Sequence, residues 1–293
     1  MFASLLVASG LSLPTADVTS TFPTFVQYSA AAYCNQIWTS GAFNCGIRCS
    51  GKLSSTQIIV AANDSATTGA GFVGVNPDLQ TIVISFRGTS NPTADGEDLD
   101  FFKSNADFQS AKPIDVPNPA NSPLPTSLQI HTGFKNTYEG VRQAILPAAA
   151  NLAAQYPSYQ IVFTGHSLGG ALAGLAAVDF QNVYGYDDRI SLYTYGQPRI
   201  GDTNWARYVD GLSIANRFYR VARVGDPVVH LPYNWMGFQH FRHQYEINDD
   251  GTTTACSIDS NSGESSSCLN DGGEFNVARH SDYYGWLNGQ STC

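Results

Sequence analysis

Gly165-His166-Ser167-Leu168-Gly169 is a G-x-S-x-G pentapeptide lying between an apolar run suited to a strand and an Ala/Leu-rich run suited to a helix. In so tight a turn, side chains two positions either side of the serine would collide, hence glycine at both. The serine is held in a strained conformation with its hydroxyl exposed above the sheet edge. The following helix aims free N–H groups and a partial positive charge at the same point. A nucleophile beside an anion-stabilising pole is the equipment of acyl transfer. A phosphate-binding loop is the competing use of such glycines, but no Lys-Ser/Thr follows the second one.

A serine hydroxyl is a poor nucleophile near neutral pH and needs a base oriented by a carboxylate. Behind this kind of turn the chain order is serine, acid, histidine. His166 adjoins the serine, cannot fold back onto its neighbour's hydroxyl, and reads as structural. Four histidines follow Ser167: His230, His240, His243 and His280. The acid belongs just past the C-terminal end of a strand, where the sheet opens into a crevice. Asp226 follows an apolar run at 218–224 and leads; Asp202, after the segment 196–201, is second. His230 lies only four residues past Asp226, and His240 and His243 fall in an aromatic, hairpin-forming stretch. His280 is far enough away to return on a separate loop and leads among the bases.

These residues need a scaffold of alternating strands and helices. The spacing predicts a helix over residues 22–33, a strand–turn–strand unit at 71–75 and 81–86, and a helix over 132–155 kinked at Pro147. A strand at 160–164, a helix over 168–184 and strands at 190–195 and 218–224 follow. That alternation indicates an α/β fold, a mostly parallel central sheet flanked by helices, and the serine turn makes it α/β-hydrolase-type. No linker divides residues 21–293, which read as one domain. Residues 90–130 carry Pro113, Pro117, Pro119, Pro123 and Pro125 and read either as a functional loop or as a tolerated surface insertion.

The 293 residues are 43% hydrophobic, 12% aromatic and 13% charged, which excludes a disordered chain and a polytopic membrane protein. Fifteen Lys and Arg against 24 Asp and Glu give a net charge of −9, so no nucleic-acid partner is expected. Six cysteines permit three disulfides in 15 pairings. Cys45 and Cys49 bracket a short loop, Cys256 and Cys268 bracket a Ser/Gly/Asn loop, and Cys34 and Cys293 lie one near each end. Zinc spacing is missing, so disulfides and an oxidising compartment are expected. Residues 1–20 include a short apolar run, too short to span a bilayer, and read as a signal or propeptide remnant or an N-terminal extension. Asn63-Asp64-Ser65 is a glycosylation sequon.

The chain resembles the fungal class 3 lipases, a family that includes feruloyl esterases. The resemblance rests on Gln27-Tyr-Ser-Ala-Ala-Ala-Tyr-Cys34, Ser85-Phe-Arg-Gly-Thr89, His131-Thr-Gly-Phe134, the segment 164–173, Tyr195-Gly-Gln-Pro-Arg199, Gly225-Asp-Pro-Val-Val-His-Leu-Pro232 and His280-Ser-Asp-Tyr-Tyr-Gly285. It implies a triad of Ser167, Asp226 and His280, oxyanion donors at Thr89 and Leu168, and pairing of Cys34 with Cys293. Of the two donors, Leu168 is supported independently by the helix start. Arg87 is expected in a structural salt bridge and His131 as a satisfied structural histidine. The resemblance also implies a secreted triacylglycerol lipase that needs no metal or organic cofactor. It is expected to act as a monomer on an ester substrate at a lipid–water interface, without a transmembrane segment.

A feruloyl esterase or broad carboxylesterase on the same scaffold is the alternative; the intact Ser, Asp and His argue against a non-catalytic binding relative. A lid should follow Thr89, at residues 90–102. That stretch offers Leu99, Phe101 and Phe102 but also Asp95, Glu97, Asp98 and Asp100, and has no tryptophan. Its acidity favours neutral glycerides over acidic phospholipids, and with the proline-rich insertion it argues against strong interfacial activation. A solvated helix face is the plainer use of those charges.

Overall fold

The computed structural model describes residues 18–89, 108–110, 128–257, 264–265, 267–268, 275–287 and 293. The expected lid at 90–102, the five prolines and residues 1–17 lie outside them.

Residues Val18–Thr21 form a 3-10 turn leading into helix α1 (Phe22–Ala31), and a short helix α2 (Asn35–Ser40) follows. Three strands come next: β1 (Gln57–Asn63), β2 (Ala70–Asn76) and β3 (Thr81–Phe86). Beyond them lie β4 (Phe108–Ser110), β5 (Gln129–His131), α3 (Thr132–Gln155), β6 (Gln160–His166), α4 (Leu168–Tyr184), β7 (Ile190–Tyr195), β8 (Gly201–Asp202) and α5 (Thr203–Asp210). The chain continues through β9 (Phe218–Arg223), β10 (Phe238–Gln239), β11 (Gln244–Ile247) and β12 (Thr253–Ala255).

The central sheet has the order β1-β2-β3-β6-β7-β9-β11-β12, and a smaller sheet has the order β10-β8-β5-β4. The run from β3 to β11 is parallel; β1 and β2 at one edge and β12 at the other pair antiparallel. Alternation along the strands sorts the core into two layers. Ile82, Ile84, Phe86, Ile161, Phe163 and Leu192 meet α3 and α4 on one face. Val83, Val162, Tyr193 and Val221 meet Phe22, Phe25 and Val26 of α1 on the other.

The helices predicted over 132–155 and 168–184 form with those bounds, and Pro147 sits inside α3 without ending it. The helix predicted over 22–33 stops at Ala31. The stretch holding His240 and His243 is not a hairpin. Phe238–Gln239 pairs with β8 in the small sheet, whereas Gln244–Ile247 joins the central sheet parallel to β9. Helices α2 and α5 and strands β1, β4, β5, β8, β10, β11 and β12 are not among the elements the spacing predicts.

The parallel register aligns the strand ends. Phe86 is opposite Gly165, His166 is opposite Tyr195, and Tyr195 is opposite Val221. The C-terminal ends of β3, β6, β7 and β9 therefore open on one crevice, the usual location of ligand sites in open α/β sheets. The residues that emerge there are Thr89, Ser167, Gly196 and Asp226.

All six cysteines are paired: Cys34–Cys293, Cys45–Cys49 and Cys256–Cys268. Among the described residues no helix is long and apolar enough to cross a membrane.

Candidate active site

Strand β6 runs straight into Ser167, and α4 begins at the next residue. Ser167 has φ 59° and ψ −131°, a backbone conformation that costs a non-glycine residue about 1–3 kcal/mol. The surrounding structure enforces it. Its N–H donates to the Tyr195 carbonyl at 2.9 Å, and its carbonyl accepts from the Gly170 N–H at 2.9 Å. The flanking glycines are required by space. A Cβ on Gly165 would stand 2.1 Å from the Gly169 carbonyl oxygen, and one on Gly169 would stand 2.3 Å from the Phe86 carbonyl oxygen. Strand, turn and helix are packed too closely for any side chain at either position.

Asp226 sits two residues beyond the Arg223–Val224 strand exit, after Gly225 turns the chain at φ 79°. It is fully buried. Its Oδ1 accepts from the Val228 N–H at 2.8 Å, and its Oδ2 accepts from the Tyr283 hydroxyl at 2.6 Å. His280 Nδ1 lies 2.9 Å from Oδ2 and 3.1 Å from Oδ1. Burial opposes charge on this carboxyl, but the His280 imidazole, the Tyr283 hydroxyl and the Val228 amide outweigh it and hold the pKa below the ordinary value. A carboxylate only accepts hydrogen bonds, so Nδ1 of His280 donates to it, and in the neutral imidazole Nε2 has the lone pair. The loop carrying His280 is fastened to the one carrying Asp226 by a 2.9 Å bond from the Asn276 N–H to the Gly225 carbonyl.

Gly196 links this pair to the serine. It follows Tyr195, whose carbonyl holds Ser167, and a Cβ on it would come within 3.0 Å of Asp226 Oδ2 and of His280 Cε1 and Nδ1. Among the described residues no hydrogen bond joins Ser167 to His280; the two are neighbours through Gly196 and through His166, whose ring centroid is 4.5 Å from that of His280. Leu168 opens α4, so its N–H lies in the first turn, where amides have no partner within the helix. Gly88 brings Thr89 alongside: a Cβ there would sit 3.2 Å from Ser167 Cβ and 2.1 Å from the Tyr33 hydroxyl.

His166 has the structural part expected of it. Its Nε2–H donates to the His280 carbonyl at 2.7 Å, which leaves Nδ1 to accept from the Tyr33 hydroxyl at 2.9 Å. Burial, with the adjacent His280 imidazole, lowers its pKa to about 3, so it stays neutral. His131 is buried at the start of α3, where Nδ1 accepts from the Phe134 N–H at 3.3 Å. His240 Nε2 bonds the Val229 carbonyl at 2.8 Å.

Asp202, the second candidate acid, caps α5 instead by accepting from the Trp205 N–H at 2.8 Å. Arg87 departs from the expected salt bridge. Among the described residues it donates to the Thr68 carbonyl at 3.3 Å and lies over the Trp38 ring, with no carboxylate partner. Tyr283 is not among the residues that the sequence alone marks as functional. The segment 280–285 contains it, but nothing in a linear pattern separates it from Tyr284. Among the described residues no group of three or more His, Cys, Asp or Glu could hold a metal ion.

Residues 83–236, more than half of the chain, match the family described as Lipase (class 3). This chain belongs to the class 3 lipase family. A lipase of Rhizomucor miehei is 30% identical over 99% of this chain and 75% of its own length. A secreted mono- and diacylglycerol lipase of Gibberella zeae is 32% identical over 71% of this chain and 57% of its own length. The chain spans from about half to about four fifths of the length of the curated relatives it matches. A solved triacylglycerol lipase, described as having a catalytic centre formed by a serine protease triad, superposes with a TM-score of 0.75 at 28% identity. The match covers 94% of this chain and 97% of that one. This class 3 lipase is thus a carboxylic ester hydrolase with the α/β-hydrolase fold.

Proposed function

We propose that residues 21–293 form one catalytic domain that hydrolyses triacylglycerols through an acyl-enzyme on Ser167. The observation that carries this is the buried Asp226 carboxylate holding His280 Nδ1 at 2.9 Å, behind a serine at φ 59°. In the first half-reaction Ser167 Oγ bonds to the ester carbonyl carbon while its proton passes to His280 Nε2. Asp226 stabilises the imidazolium that forms. The carbonyl oxygen takes the negative charge facing the Leu168 N–H and Thr89; one such donor is worth about 3–4 kcal/mol. The bond to the leaving alcohol then breaks, and His280 returns the proton to that oxygen. Water repeats the sequence on the acyl-enzyme and releases the acid and the free serine.

Secretion of a monomer acting at a lipid–water interface completes the proposal. It is supported by three disulfides, by secreted relatives and by the exposed sequon asparagine Asn63 at the end of β1. The test is a substrate panel of soluble short-chain esters, emulsified triolein, diolein and methyl ferulate. Turnover of triolein above methyl ferulate supports the proposal. Turnover of methyl ferulate alone contradicts the glyceride assignment, and no turnover of any ester contradicts the mechanism.

A further inference from the structure

Five large apolar side chains stand exposed among the described residues: Ile47, Ile59, Tyr233, Trp235 and Phe275. Scattered ones are ordinary on a soluble protein. Three of these five lie on the two segments that deliver the acid and the base. Tyr233 and Trp235 follow Asp226 on the loop leaving β9, and Phe275 precedes His280 on the returning loop. Trp235 is 80% exposed, Phe275 51% and Tyr233 36%.

The trio is ordered by its surroundings. The Tyr233 and Trp235 rings stack 5.9 Å apart at 16°, and Phe275 packs against His230 at 4.8 Å. The turn beneath them is closed by bonds from the Met236 N–H to the Tyr233 carbonyl and from the Gly237 N–H to the Asn234 carbonyl. Arg199 Nη1 grips the Pro232 carbonyl at 3.0 Å, and Asn234 Nδ2 reaches Glu264 at 3.3 Å. Glu264 is itself neutralised by Arg199 at 2.7 Å. A stiff turn thus presents Tyr233 and Trp235 to solvent, and a ring packed on the same loop presents Phe275.

Tryptophan and tyrosine favour the boundary between water and hydrocarbon, where the ring is buried and the polar edge stays wet. A chain of net charge −9 has no general attraction for anionic lipid. We propose that Tyr233, Trp235 and Phe275 form a fixed aromatic rim that docks a neutral lipid–water surface beside the catalytic residues. The inference rests on the ester-hydrolase reading and assigns the docking surface to residues outside the lid segment.

The test measures flotation of the full chain with phosphatidylcholine vesicles and with triolein emulsion. In parallel it measures hydrolysis of a short-chain ester below its solubility limit. Trp235→Ser, and Tyr233→Ser combined with it, are expected to weaken adsorption by about tenfold or more. The soluble ester should still turn over within about twofold of the parent rate. Trp235→Phe keeps an apolar ring and is expected to keep adsorption, while the quenching of tryptophan fluorescence by brominated phosphatidylcholine falls. Unchanged adsorption of the double variant overturns the proposal, and so do unchanged quenching in Trp235→Phe or adsorption that requires anionic lipid. Flotation and quenching are read without turnover, so an inert parent chain would instead count against the ester-hydrolase reading.

Discussion

Tyr283 and His280 converge on one oxygen of Asp226: the tyrosine hydroxyl donates to Oδ2 at 2.6 Å, and His280 Nδ1 lies 2.9 Å from the same atom. All three groups are buried. Removing a hydrogen bond to a buried charge costs about 1.5–3 kcal/mol. Tyr283→Phe is therefore expected to lower kcat/KM by about tenfold or more with a smaller change in KM. It also withdraws a group that holds the Asp226 carboxyl pKa down. Steady-state kinetics of parent and variant on a soluble ester check the loss, and an unchanged kcat/KM contradicts the role.

His166 makes the fold acid-sensitive. Its pKa is lowered from 6.5 to about 3 by burial and by the neighbouring imidazole, so between those values the unfolded chain binds a proton that the folded chain refuses. Its contribution to stability is complete above pH 6.5 and is lost as pH falls toward 3. The slope reaches about 1.4 kcal/mol per pH unit for one group. His240, pushed well down by burial and by Arg220, adds in the same direction. Urea unfolding at pH 7 and pH 5 is expected to show a shallower pH dependence in His166→Asn than in the parent. Parallel slopes would contradict this.

Glu264 and Arg199 brace the loop behind the acid. Arg199 donates to both carboxylate oxygens of Glu264, at 2.7 and 2.9 Å, and to the His230 and Pro232 carbonyls. Glu264→Ala leaves a buried guanidinium without its counter-ion, expected to cost about 3–5 kcal/mol. Glu264→Gln keeps the shape and should cost less. Chemical denaturation of both variants, with soluble-ester activity alongside, orders them; equal stability of all three chains would contradict the bracing role.

The Cys34–Cys293 bond closes a separation of 259 residues. Chain-entropy reasoning makes such a long loop among the more stabilising to close, at about 2–5 kcal/mol. Cys293→Ser is expected to lower the denaturation midpoint accordingly, with kcat/KM on a soluble ester falling little at low temperature. A midpoint equal to the parent's would show that the cross-link contributes nothing.

The parts of the site that follow from local rules are legible in the sequence. Gly165 and Gly169 announce the turn around Ser167 because nothing larger fits, the 3.6-residue period of α3 gives its bounds, and α4 is legible from its Ala/Leu-rich run. Asp226 is legible as the residue beyond an apolar strand. What escapes is set by tertiary context. Strand β1 is an edge strand that alternates between exposed and half-buried residues, but Ile58 to Ala62 are apolar on both faces, so the sequence itself shows no alternation. Helix α5 is hidden because its cap, Asp202, looks like a catalytic acid until its bond to the Trp205 N–H is seen. Tyr283 joins the site only when the loop from Asn276 is hydrogen-bonded to Gly225, a contact between residues 51 positions apart.

The most direct measurement of the central claim is covalent trapping. The folded chain is treated with a phosphonate ester that reacts with activated serines, digested, and mapped by mass spectrometry. One adduct is expected, on the peptide containing Ser167, with labelling at least about a thousandfold slower in His280→Ala. Labelling at another residue, or an unchanged rate in His280→Ala, would contradict it.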